Sequence, residues 1–245
     1  MQRVLKLSCT FLIGAVCTVV FAGCGSLFSM TKDDIARGYL PDTRHIHHPD
    51  SLVHVATTVE DDSTDITLDR PLIELMQKWS TAPNFRHRSP RFADVSFATF
   101  VSRELALART ASVFGTGDLT DALASTIFEQ AEAEYRNYIV MDLHLFSEDM
   151  MDTNPEYSNV DFYLRIDDEH TVPLADLVAQ RPPKRSTIGT LYHMRSSLLF
   201  PRHDEEGNDL LEGAHSVELH ATFLSQRGAR TFFNWHFQDT WSALH

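Results

Sequence analysis

Cysteine is scarce in this chain of 245 residues: Cys9, Cys17 and Cys24 are the three present, and all lie within the first 24 positions. The remainder therefore has no thiol for a disulfide framework, a CxxC redox pair or a cysteine-ligated zinc. Positive charge is also short, with 21 Lys and Arg against 34 Asp and Glu and a net charge of −13. Such a body repels nucleic-acid phosphates and an anionic bilayer face, so nucleic acid is not an expected partner. The leading apolar run, Leu7 to Ala22, falls short of the about 20 residues of a membrane-spanning helix and contains Ser8, Thr10 and Thr18. Nucleophile elbow, P-loop, GxGxxG, HExxH and SxxK signatures are missing, as are repeats and low-complexity tracts. The expected role is therefore non-catalytic, with no cofactor.

What the chain does carry begins at its start. Arg3 and Lys6 precede the apolar run, which ends in Phe21-Ala22-Gly23-Cys24. A charged lead, an apolar stretch and small residues before a cut site make an export signal. The four residues resemble the lipobox of bacterial lipoproteins, with Phe21 standing where Leu is usual. The resemblance implies cleavage before Cys24 and acylation of its sulfur. Gly25 after the cysteine implies, by the same resemblance, passage to the outer membrane in a cell that has one. Ordinary signal-peptidase cleavage after Ala22 or Gly23 is the alternative. Without Arg3 and Lys6, 19 basic residues face 34 acidic ones, a net charge of −15. Acyl chains would hold to the membrane a body that its own charge repels.

Four segments are expected: a signal over 1–23, a polar tether over 24–50, a mainly helical segment over 51–136 and a β-sandwich-like domain over 137–245. Val53, Val55 and Val59 suit a first strand, and 61–65 reads as a turn. Asp69 and Pro71 open a helix that runs through Leu72, Leu75, Met76 and Trp79. Residues 93–112 fit helix and strand alike. Leu119 to Tyr135 is the clearest helix, with Leu123, Ile127, Phe128 and Ala131 completing one apolar stripe. Beyond Asn137 the period drops to two, in 139–145, 160–167, 217–223 and 231–237, with a less regular strand over 188–200. Alternation of this kind means antiparallel sheets with one dry face. The fold class expected is α+β, with an antiparallel sandwich-like C-terminal half behind a helical N-terminal segment.

Histidine supplies the candidate sites. His45, His47 and His48 form the densest group, with His54 nearby, and an HxH spacing in extended chain turns two rings to one side, as zinc or copper requires. A five-residue hairpin loop over 226–230 would set His220 opposite His236 as a second metal pair, whereas a three-residue loop would set it opposite Asn234. The other reading of both groups is solvated histidine. Asp204 to Asp209 gathers oxygen ligands without EF-hand spacing and reads as a turn. Arg86, His87, Arg88 and Arg91 form a basic island. Outward-facing Tyr138, Phe146, Tyr163 and Phe232 can line a partner face unless helices cover them. The expectation is an envelope lipoprotein, bound to membrane lipid through acylated Cys24 and serving as a binding or assembly module for an envelope protein partner. Histidine-dependent metal binding or pH response is the alternative.

Overall fold

A computed structural model describes residues 46–60, 63–85, 95–114, 121–147, 149–150, 155, 160–179, 184–185, 192–223 and 229–238. The expected signal, Cys24, His45 and the basic island lie outside them. The chain enters with β1 (Ile46–His47), then the hairpin β2 (Val55–Glu60) and β3 (Ser63–Leu68). Next come α1 (Leu72–Trp79), β4 (Ser80–Thr81), β5 (Asn84–Phe85), β6 (Val95–Phe100), α2 (Arg103–Phe114) and α3 (Asp121–Asn137). The second half is β7 (Tyr138–Ser147), β8 (Val160–Ile166), β9 (His170–Pro173), β10 (Asp176–Ala179), β11 (Lys184–Arg185), β12 (Tyr192–Pro201), β13 (Ser216–Phe223) and β14 (Ala229–Gln238). The fold is α+β and predominantly β.

One six-stranded sheet runs β1-β14-β13-β8-β9, with β5 also on β14; the other runs β10-β12-β7-β6-β4, with β11 also on β12. The β2–β3 hairpin is a separate two-stranded sheet. Among the described residues all strand pairings are antiparallel except β1 with β14, where Ile46 lies opposite Phe237. Both six-stranded sheets feed one hydrophobic cluster, together with Leu75, Met76 and Trp79 of α1 and Leu105, Leu107 and Ala108 of α2. Phe100 sits 5.9 Å from the Trp235 ring and 5.8 Å from Phe237, and the Trp235 indole donates to the Trp79 carbonyl at 2.9 Å. Burying each such side chain contributes about 1.5–3 kcal/mol.

One expected segment boundary moves. The tether does not reach residue 50, because Ile46 and His47 are buried against β14. Residues 51–136 carry, among the described residues, three helices that hold more of the chain than strand does, together with five strands. Over 93–112 the chain takes both conformations in turn. β6 ends at Phe100, and the Ser102 hydroxyl then caps α2 by accepting the Leu105 amide at 3.2 Å. The turn expected over 61–65 is shorter, since Ser63, Thr64 and Asp65 already belong to β3. Helix α1 starts on Pro71, which makes no side-chain cap bond, and Asp69 turns elsewhere.

Alternation misread β7 in one respect. Its residues Ile139–Ser147 are buried without exception, so both faces are dry. Ile139, Met141, Leu143 and Leu145 enter the core. On the other face Asp142 meets Arg109 of α2 at 2.7 Å, and the His144 ring stacks on Phe97 at 4.4 Å. Phe146 (1% exposed) and Phe232 (9%) are therefore not partner-facing, whereas Tyr138 is exposed.

Candidate functional site: a lysine held by two imidazoles

Five side chains from five parts of the chain meet beside the core. His47 comes from β1 and Lys78 from the last turn of α1, while Glu104 lies in the first turn of α2. His54 and Asp69 flank the open end of the β2–β3 hairpin, whose last pair is Val55 with Leu68, and the Asp69 amide donates to the His54 carbonyl at 3.1 Å. The hairpin thus acts as a clasp that sets His54 against Asp69.

Lys78 Nζ donates to His47 Nδ1 at 2.8 Å and to His54 Nε2 at 3.0 Å. The far nitrogen of each ring faces a carboxylate: His47 Nε2 lies 2.8 Å from Glu104 Oε1, and His54 Nδ1 lies 3.1 Å from Asp69. A proton on each far nitrogen leaves both near nitrogens as acceptors for the lysine; Asp69 hydrogen-bonds that position on His54, whereas the His47 Nε2–Glu104 approach is close but not aligned as a hydrogen bond. Glu104 is fully buried and also accepts the Trp79 indole N–H at 2.8 Å and the His54 amide at 3.1 Å. Burial alone would raise its carboxyl, but the His47 contact, the indole and the amide outweigh it and bring the pKa to about 2. Burial pushes the Lys78 ammonium down; Glu104 and Asp69 oppose this and Arg70 adds to it.

The metal expectation for His45, His47 and His48 takes a different form. His45 lies outside the described residues. The points at which His47 and His54 aim are filled by the lysine nitrogen, and His48 Nε2 contacts the Leu211 carbonyl at 2.8 Å. The second pair does not form either. His220 lies opposite Phe232, and His236 lies opposite Ser216. The β13–β14 connection spans 224–228, earlier than the expected loop, so parity survives while the partner changes. His220 instead stacks on Tyr163 at 4.7 Å and contacts Glu218 at 2.8 Å. Among the described residues no three His, Cys, Asp or Glu side chains gather as a metal site. The Asp204 loop is likewise closed on itself, Asp204 accepting from the Asn208 amide and side chain at 2.8 Å, while Asp209 accepts from Arg202 at 2.9 Å.

Two polar groups that sequence reasoning missed tie elements together. Asp142, 1% exposed, accepts from Ser197 Oγ at 2.6 Å. Burial opposes its ionisation, yet Arg109 and Arg195 hold its carboxyl far below the usual range. Arg202, 5% exposed, donates to both Asp50 oxygens at 2.8 and 2.9 Å and lies 4.6 Å over the Tyr135 ring, whose hydroxyl also donates to Asp50. Asp50 is 152 positions from Arg202, a separation that leaves no local signature.

No family model matches the chain, and no curated protein does. A crystal structure of a novel protein of unknown function from Burkholderia pseudomallei is similar at 13% identity over 65% of this chain and 78% of that one, with a TM-score of 0.32. That likeness carries no functional argument.

Proposed function

We propose that the protein is an exported lipoprotein, anchored through acylated Cys24, whose body is a non-catalytic binding or assembly module in the cell envelope. The observation that carries this reading is Phe21-Ala22-Gly23-Cys24 behind a basic, apolar lead. In it, membrane lipid is the first partner and an envelope protein the second, and the membrane is the outer one where the cell has one. Residues 25–45 lie between the anchor and Ile46, where the described residues begin, and the negative charge of the body favours its standing off an anionic surface. We infer that the two six-stranded sheets pack as a sandwich, a reading supported by the Phe100, Trp235 and Phe237 rings that meet between them. Among the described residues no helix is long and apolar enough to cross a membrane.

The pH-responsive alternative is favoured by His144 and His220, one in each large sheet, both buried and both with pKa values lowered first by that burial. Labelled palmitate supplied to cells producing the wild type and Cys24→Ala tests the main reading. Label is expected on the wild type alone; an unlabelled wild type removes the anchor and the location with it.

A further inference from the structure

Ordinary structural lysines in protein interiors sit directly on a carboxylate, which holds the ammonium charged. Lys78 does not. Its two hydrogen-bond partners are imidazole nitrogens, and the carboxylates of Glu104 and Asp69 are one ring further out. Lys78 makes no direct ion pair with a described carboxylate, and its side chain is only partly buried. A neutral amine fits this setting: its two hydrogens point at His47 Nδ1 and His54 Nε2, and its remaining tetrahedral position carries the lone pair. The charges around it are Glu104 and Asp69, which favour the ammonium, and Arg70, which disfavours it. A partly desolvated amine beside bases is the arrangement that activates lysine toward carbonyl carbon.

We propose that Lys78 is a covalent capture site for small aldehydes, with His47 and His54 carrying the protons of imine formation. The Nζ lone pair bonds to the carbonyl carbon, and the C=O π pair moves onto oxygen. Both nitrogen-bound hydrogens then pass by way of the two rings to that oxygen. The C–O bond breaks, water leaves and the C=N bond closes, with no oxidant or reductant consumed. Imine formation removes two N–H protons, and the site offers one acceptor for each. This goes beyond the lipoprotein reading and stands without it.

The chain has four lysines, Lys6, Lys32, Lys78 and Lys184, and Lys6 lies in the signal, so the test has few competitors. The full chain is incubated with propionaldehyde and cyanoborohydride at pH 7, cleaved by a glutamate-specific protease, and alkylation is followed at each lysine by mass spectrometry. Lys78 is expected to react about tenfold faster than Lys32 and Lys184, as a larger neutral fraction requires. In concentrated urea the three rates are expected to converge. His54→Phe, which keeps a ring but removes the acceptor, is expected to bring Lys78 down to the other two. Equal or slower alkylation of Lys78 in the folded wild type overturns the proposal, as does a preference that survives urea or is unchanged in folded His54→Phe.

Discussion

Glu104 and His47 face each other at 2.8 Å, with the carboxylate side chain fully buried and the imidazole 8% exposed. The pair joins the first described strand to a helix residue 57 positions later in sequence, and Trp79 donates to the same carboxylate oxygen.

Glu104→Gln should therefore remove a pH-dependent part of the stability. A carboxyl lowered from 4.5 to about 2 binds its proton more weakly folded than unfolded. Its contribution, about 3 kcal/mol, is complete above pH 4.5 and disappears as pH falls toward 2. Urea titrations at neutral pH and at steps through that window should show a steep acid limb in the wild type and a flatter one in Glu104→Gln. Matching profiles would contradict the assignment.

Asp142→Ala leaves Arg109 beside the sheet without its counter-ion and Ser197 without an acceptor. Removing one member of such a buried pair costs about 3–5 kcal/mol. The double variant Asp142→Ala with Arg109→Met should lose less than the two single variants together. Strict additivity in a double-mutant cycle would show that the residues do not act as a pair.

His144 and His220 set a second pH dependence at milder acidity. Both are held neutral in the fold first by burial, aided at His144 by neighbouring His193 and opposed at His220 by Glu218. Their folded values lie below the ordinary 6.5, so the unfolded chain takes up protons first as pH drops. Stability is full above pH 6.5 and falls as acid approaches the folded values. His144→Leu should flatten the loss between pH 7 and pH 5 in thermal melts, and an unaltered slope would remove His144 as its source.

Arg202→Lys tests the clamp on Asp50. Lysine supplies a point charge and cannot serve Asp50, Asp209 and the Tyr135 carbonyl together. The expected cost is about 2 kcal/mol, modest because Asp50 and Asp209 are partly exposed. A Lys variant as stable as wild type would refute a guanidinium-specific role.

Elements with clean local periodicity were readable from sequence. Strands β8, β13 and β14 lie where alternation puts them, and α3 covers the expected Leu119–Tyr135 helix within a turn. Asp167 and Asp168 turn the chain between β8 and β9, both at positive φ, which aspartate tolerates. Less was readable where tertiary contacts override pattern. Asp142 and His144 look like wet-face residues in sequence, and only the covering by Arg109 and Phe97 makes them dry. The Lys78 site has no sequence signature at all: its members are spread from residue 47 to residue 104, and nothing local distinguishes His47 in a histidine-rich run from a solvated neighbour.

The parallel pairing of Ile46 and His47 with the end of β14 governs how the body answers a pull on the chain ahead of it. Traction applied ahead of Ile46 reaches an edge bracketed by the glutamate under His47 and by the arginine gripping Asp50. Those two side-chain grips, more than a two-residue strand, set the force at which the body begins to peel.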